Sequence, residues 1–354
     1  MVNHPAPHSA QQFFSRCPLY VTFDDVLLIP NYSDIESRKS LSTNNNLGNI
    51  ELNLPVISSP MDTVTEVDMA HSMDEHGGLG IIHRYNSIED QVKLVESSKQ
   101  KGVDNIGAAI GVTGDYQERA NELVRAGANI LCVDVAHGHH SMMRDALKHL
   151  KDKHGGDIHI MAGNVATGQA SLDLANWGAD SIRVGIGGGS ICSTRLVSGH
   201  GSPTLQSIID CVYEGCPVPI IADGGMKTSG DIVKALAAGA DFVMLGSMLA
   251  GTDQAPGQMF DNGDRKYKVY RGMASSEAQV SWRGKTSTPE GVSTTIPYKG
   301  DVNRILSDLK GGIQSGMSYS GATTIAELQS NARFIQQTSA GRIESHTHIL
   351  SRNK

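Results

Sequence analysis

The loop Gly185-Ile-Gly187-Gly-Gly189-Ser190-Ile-Cys192-Ser-Thr194-Arg195 is the stretch of this sequence richest in potential chemistry. Its glycines let carbonyls and amides turn toward a ligand, and they place the Cys192 thiol on a loop where its thiolate can act as a nucleophile. The competing reading is an ordinary turn around a buried cysteine. As a dinucleotide fingerprint the loop is a weak match, because no acidic residue stands at the required distance. Two more glycine clusters, Ala222-Asp223-Gly224-Gly225 and Leu245-Gly246-Ser247, can aim backbone amides at a phosphate. Asp223, just before the first of them, suits ribose hydroxyls. Its alternative role as a helix cap is better filled by Thr228 or Ser229. His137-Gly-His139-His140 invites a metal reading, but no second ligand cluster with carboxylates at matching spacing accompanies it. Stacking on a cofactor ring, or simple solvation, accounts for it better. His346-Thr-His348 reads as part of a polar tail.

Elements that could position these loops recur along the chain. Short apolar runs at Pro55–Ser58, Leu79–Ile82, Ile106–Ile110, Ile130–Asp134, His159–Ala162, Ser181–Val184, Pro219–Ala222 and Phe242–Leu245 alternate with segments of helical period. Arg125-Ala-Gly-Ala-Asn129, Asn176-Trp-Gly-Ala-Asp180 and Ala237-Ala-Gly-Ala-Asp241 repeat one joint, a glycine that ends a helix just before a strand. Eight such strands predict an α/β fold of the TIM (β/α)8 barrel type, with the active site on loops at the strand C-terminal ends. The rival is a doubly wound open sheet. In this reading residues 1–354 form one barrel domain, with an N-terminal arm (1–53), an insertion after strand eight (251–300) and a C-terminal tail (331–354). Within the insertion, Asp261-Asn-Gly-Asp264 followed by Lys266–Tyr270 reads as a small β-hairpin. Residues 275–291, polar and poor in apolar anchors, read as a mobile flap.

Composition narrows the partners. Lys+Arg 30 against Asp+Glu 37 gives a net charge of -7, which repels polyanions and argues against nucleic acid. No run approaches the roughly 18 apolar residues of a membrane span, and the first residues lack a signal-peptide pattern, so the expected location is cytoplasmic. The five cysteines are scattered without CxxC pairs, which fits reduced thiols.

With these residues in view, the sequence resembles the IMP dehydrogenase/GMP reductase family. The matching stretches are Thr22–Leu28, Ser58–Thr65, Gly185–Arg195, Ala222–Gly225 and Tyr270–Met273. The resemblance implies a tetrameric barrel in which a loop cysteine attacks C2 of a purine nucleotide (GMP or IMP) while a nicotinamide cofactor exchanges hydride with that carbon. It makes Cys192 the nucleophile, and Thr194 with Glu290 the pair that moves a proton at C2. Ser190, Gly225, Gly246, Ser247 and Tyr270 would hold the 5′-phosphate and Asp223 the ribose. Ser59, Gly272 and Met273 would complete the substrate site. Asp134, His137, Asn164, Arg183 and Gly185 would lie along NADPH or NAD. Carbonyls of Gly187, Gly189 and Cys192 resemble a potassium site completed by Glu344, Ser345 and His346 of a neighbouring copy.

Departures from the family pattern bear on which reaction is run. Dehydrogenases usually carry a pair of CBS modules where residues 89–105 here leave no room. Their flap also carries an Arg-Tyr pair that activates water, and residues 274–289 hold none. Arg84-Tyr85 is such a pair, but on the loop after strand two. The short flap and Gly272–Ser275 resemble GMP reductases, whereas Ser58–Thr65, Ala136–His139 and the tail resemble dehydrogenases. The flap bears on the chemical step, so the expected activity is NADPH-dependent GMP reductase, with NAD-dependent IMP dehydrogenase using Arg283 as the alternative. A non-catalytic nucleotide-binding barrel would not need Cys192, Thr194 and Glu290 together.

Overall fold

The computed structural model describes residues 17–345 except 286. Eight parallel strands close on themselves: β1 (Val56–Ser58), β2 (Leu79–Ile82), β3 (Ile106–Ile110), β4 (Ile130–Asp134), β5 (His159–Val165), β6 (Ser181–Val184), β7 (Ile220–Asp223) and β8 (Phe242–Leu245). Pairing of Val243, Met244 and Leu245 with Val56, Ile57 and Ser58 completes the ring, which excludes the open sheet. All eight expected strands form, with ends displaced by one residue at β1 and β7. β5 runs on through Gly163 and Asn164 to Val165, with a register shift against β6 that carries Asn164 to the strand's C-terminal end.

The repeated Gly-Ala joint has a physical explanation. Gly127, Gly178 and Gly239 end their helices at φ of 118°, 113° and 105°, a conformation other residues rarely adopt. The next polar residue then ties two strands together. Asn129, Asp180 and Asp241 each accept a backbone N–H from the preceding strand, those of Ile106 (2.8 Å), Ile160 (2.9 Å) and Ile220 (2.8 Å).

Inward side chains of the strands, among them Ile57, Leu79, Ile81, Ile130, Met161, Ile221, Phe242 and Met244, form a core of their own. Leu47 and Leu52, from a hairpin of the N-terminal arm (Asn45–Leu47 with Ile50–Leu52), join that core and plug the barrel. The plug sits at the N-terminal mouth, where Gly48 packs beside His159 at the start of β5. The arm also pairs Val26–Leu28 with Phe334–Gln336 of the tail. Among the described residues no helix is long and apolar enough to cross a membrane.

His159 makes this mouth sensitive to acid. It is 8% exposed, its Nε2 lies 2.8 Å from Ser181 Oγ, and burial pushes its pKa down to about 4 from 6.5. Between those values the unfolded chain binds a proton that the folded chain refuses. The stabilisation is therefore complete above pH 6.5 and lost as pH falls toward 4, on the order of 3 kcal/mol in all. His159→Gln should lose stability at pH 7 but show a shallower fall of melting temperature between pH 7 and pH 4.5; parallel curves for the two proteins would disprove the assignment.

The insertion after β8 differs from the sequence reading in one respect. The expected hairpin forms from Met259–Asp261 and Lys266–Arg271, and Ser293–Pro297 adds a third strand. The flap between them is not an unanchored loop. It carries a helix, Ser276–Arg283, started by a hydrogen bond from Ala278 N–H to Ser275 Oγ. Ala278 is fully buried and Gln279 nearly so. Too few apolar residues stand in this segment to announce these anchors by periodicity.

Candidate active site

Loops leaving the C-terminal ends of the strands surround one cavity of about 510 Å³. The β6 loop forms one wall. Gly185 is required there, since a Cβ would stand 2.0 Å from the carbonyl oxygen of Asp223. That close approach brings the β6 and β7 loops together. Cys192 stands exposed on the β6 loop with its Sγ 3.2 Å from Thr194 Oγ1. Cys132 and Cys211 contrast with it: burial pushes both thiols up to about 12, leaving them inert.

The flap is laced to the nucleophile loop by main-chain bonds. Ser193 N–H donates to Glu290 O (2.9 Å), Val292 N–H to Ile191 O (3.0 Å) and Glu290 N–H to Ala274 O (3.1 Å). Cys192 and Gly291 form an antiparallel bridge. Cys192, Thr194 and Glu290 thereby line the same cavity.

A second corner gathers Ser190, Gly225, Gly246, Ser247 and Tyr270. Tyr270 is buried, with its hydroxyl 3.5 Å from Ser190 Oγ. Burial pushes its pKa up, against the pull of the Ser190 hydrogen bond, so it remains a neutral donor. Gly224 and Gly225, which line the same cavity, take φ of 87° and 88°. Amides and hydroxyls of this kind are donors that a phosphate dianion can use. Thr228 caps the next helix (Ser229–Ala237) in a capping box with Asp231, which leaves Asp223 to the cavity.

The floor is charged. Arg183, 5% exposed, donates from Nη1 to Asp134 Oδ1 (2.6 Å) and from Nη2 to Asp223 Oδ2 (2.8 Å), with Cys132 Sγ 3.3 Å from Nη1. Its guanidinium is committed to holding two carboxylates apart and at fixed angles. Asn164 Nδ2 donates to Gly185 O and to Asp223 Oδ2, each at 2.8 Å. That fixes Oδ1 as an acceptor, and it is buried without a partner among the described residues. An amide or hydroxyl donor of a bound nucleotide fits it, the nicotinamide carboxamide included.

Of the residues singled out in the sequence, Ser59, Gly187, Gly189, Gly272 and Met273 also line the cavity. His137 does not. It stands exposed on the β4 loop, outside the lining residues. Its neighbours serve the fold: His140 caps the helix Ser141–His154, while His139 Nε2 lies 2.8 Å from Asp173 Oδ2 and the ring stacks on Trp177. Glu344 and Ser345 end the short tail helix Ser339–Glu344, which packs on the arm rather than beside Cys192 of its own chain. His346 and His348 lie outside the described residues.

Arg84 and Tyr85, set apart in the sequence because they are remote from the flap, line the cavity together with Trp282 of the flap helix. Barrel topology alone could have found them, since a loop following β2 must emerge at the same mouth as one following β6.

A closed β/α barrel with an exposed loop thiol and a cavity at the C-terminal ends of its strands has the layout of a β/α-barrel enzyme. The sequence model of the IMP dehydrogenase / GMP reductase domain matches residues 20–348, and the chain belongs to that family of purine-nucleotide oxidoreductases. It is 35% identical to an inosine-5′-monophosphate dehydrogenase of Nitrosopumilus maritimus, covering 93% of this chain and 98% of that one. Against a dehydrogenase of Borreliella burgdorferi it is 39% identical (93% and 96% covered), and against a GMP reductase of Leishmania major 35% (95% and 98% covered). The fold superposes with a TM-score of 0.91, at 33% identity, on a cysteine-to-alanine variant of GMP reductase from Trypanosoma brucei in complex with guanosine 5′-monophosphate, covering 95% of this chain and 99% of that one.

The Nitrosopumilus and Leishmania alignments span 466 and 481 positions, so both relatives carry sequence that these 354 residues lack; the Borreliella alignment spans 394. Lack of a large inserted module therefore does not separate reductase from dehydrogenase. The discrimination has to come from the site.

Proposed function

We propose that this protein is a GMP reductase, converting GMP to IMP and ammonia with NADPH. The carrying observation is what stands over the cavity. The flap contains no Arg-Tyr pair, and Arg84 and Tyr85 are committed beneath it. Arg84 Nη2 donates to Asp134 O (3.1 Å), and its guanidinium lies against the rings of Tyr85 and Trp282. Hydrolysis of a C2 adduct needs a base free to enter the vacated cofactor site. A reductive ending needs a hydride donor held against C2 and proton transfer to the departing amine, but no such base.

In this reading the Cys192 thiolate adds to C2 of GMP, and Thr194 with Glu290 delivers the proton on which the 2-amino group leaves. A bound reduced nicotinamide supplies the hydride that C2 gains. The thiolate then departs, so that two protons and one hydride are consumed and ammonium is released. Ser190, Gly225, Gly246, Ser247 and Tyr270 hold the phosphate; Asp223 holds the ribose; Ser59, Gly272 and Met273 face the base. Asp134, Asn164 and Gly185 bind the cofactor, while Arg183 acts through the two aspartates.

Potassium fits the donor set of Gly187, Gly189 and Cys192 carbonyls better than a divalent ion does. Glu344, Ser345 and His346 of a neighbouring copy in a homotetramer would complete that site.

The alternative, an NAD-dependent IMP dehydrogenase, draws support from the 39% identity to the Borreliella enzyme. Its candidate base, Arg283, has its side chain outside the described residues. Incubation with GMP plus NADPH, and separately with IMP plus NAD, tests the choice. Missing general-base help is worth about 10²–10⁴-fold, so IMP formation should exceed XMP formation by at least about 10²-fold. Fast multiple-turnover XMP production, removed by Arg283→Ala, would make the protein a dehydrogenase.

A further inference from the structure

The flap helix Ser276–Arg283 is fastened at two residues three positions apart, Gln279 and Trp282, which lie on the same side of a helix. Trp282 packs against Tyr85 with ring centroids 4.7 Å apart, and the Arg84 guanidinium lies 5.2 Å from the Trp282 ring and 5.5 Å from that of Tyr85. Gln279, 8% exposed, uses its carboxamide in both directions. Nε2 donates to Ala274 O (3.0 Å), and Oε1 accepts from Ser287 N–H (2.8 Å) and Ser287 Oγ–H (2.9 Å).

The surface that receives Trp282 is held at both ends. Buried His83 accepts the Tyr85 N–H at Nδ1 (3.2 Å), which leaves Nε2 to donate to Glu66 Oε1 (3.1 Å). Arg119, 3% exposed, donates to the carbonyl of Asn86 (3.1 Å) and to the side chains of Gln91 and Asp115 (2.7 Å each). On the far side, Ser287 stands three residues before Glu290, whose carbonyl accepts the Ser193 N–H beside Cys192. Contacts thus run without a break from the β2 loop through the flap helix to the nucleophile loop.

We propose that Trp282 and Gln279 are positioning residues. Trp282 docks the flap helix on Arg84 and Tyr85, and Gln279 transmits that docking to residues 287–290, so that Glu290 stands against the Cys192 loop. The inference uses the reductive reading only in its choice of assay.

The test combines kinetics with a measurement that needs no substrate. Trp282→Ala should lower kcat for GMP reduction by about 10–100-fold, the cost of a small misplacement of a catalytic group. KM for GMP should stay within about threefold, because the phosphate corner is untouched, and Trp282→Phe should restore most of the loss. Tyr85→Ala should match Trp282→Ala, and the double variant should be no slower than either single one. Without any substrate, trypsin should cut Trp282→Ala and Gln279→Ala at Lys285 about tenfold faster than the parent, with melting temperatures unchanged within about 2 °C. Unchanged proteolysis, a fully additive double variant, or a fall in melting temperature accompanying the lost activity would each overturn the positioning role. If the parent protein reduces no GMP, the functional reading fails, and the proteolysis alone still decides whether the helix is docked as proposed.

Discussion

Replacing Cys192 by alanine should lower turnover by about 10³-fold or more while the dissociation constant for GMP moves by less than about tenfold. The size follows from the role proposed for this thiol. Cys192 is exposed on the β6 loop with Thr194 Oγ1 at 3.2 Å, and the Glu290 backbone is bonded to the next residue, Ser193. Removing the sulfur deletes the covalent route outright. The contacts proposed to bind nucleotide come from other residues: Ser190, Gly225, Gly246, Ser247 and Tyr270 at the phosphate corner and Asp223 beside them. Binding and turnover should therefore separate cleanly. Cys211→Ala is the control, since Cys211 is fully buried and its thiol is pushed up to about 12. Its loss should leave kcat within about twofold. Turnover surviving in Cys192→Ala would remove the covalent mechanism, and binding lost by orders of magnitude would mean that the sulfur shapes the pocket.

Which parts of this site were legible in the sequence follows from the range of the forces involved. The strands and the glycine joints are local signals. Apolar β-branched runs mark β1 to β8, and Gly127, Gly178 and Gly239 need a left-handed conformation whatever surrounds them. The thiol loop and the two further glycine clusters were visible for the same reason. What escaped depends on contacts between residues far apart in the chain. Arg84 and Trp282 are separated by almost two hundred positions, and nothing in either neighbourhood marks them as partners. The order in the flap comes from Gln279, a polar residue, and Trp282, a lone aromatic, in a segment with too few apolar residues to show a helical period. His137, a residue singled out in the sequence, is not among those lining the cavity. It stands exposed, while His140 caps the helix Ser141–His154 and His139 reaches Asp173 and Trp177 at the end of the helix that follows β5, Gly168–Asn176.

The largest structural effect should come from Arg183. Its guanidinium is the shared partner of Asp134 and Asp223 at 2.6 and 2.8 Å, and all three side chains are largely removed from water. Arg183→Met would leave two carboxylates without their shared cation, with only Arg84 Nε, 3.9 Å from Asp134 Oδ2, still nearby. Breaking a buried ion pair by removing one member costs about 3–5 kcal/mol, most of it the penalty for the charge left behind. In a chain of this size that corresponds to a fall in melting temperature of roughly 4–7 °C. Lysine should not rescue it. A single ammonium cannot reproduce the fork that contacts both carboxylates at once. The functional consequence follows from Asp223, whose Oδ2 accepts from Arg183 and from Asn164. With one of these two donors gone, the carboxylate loses its fixed direction, and nucleotide affinity should fall by about tenfold or more. Neutralising a partner separates the two effects. Asp134→Asn in the Arg183→Met background should recover much of the lost melting temperature, because the repulsion and the uncompensated charge are both reduced, yet it should recover little affinity, because Asp223 remains unaimed. A double variant that regained both would show that Arg183 acts on binding only through overall stability. A melting temperature unchanged in Arg183→Met would show that the two carboxylates do not depend on it.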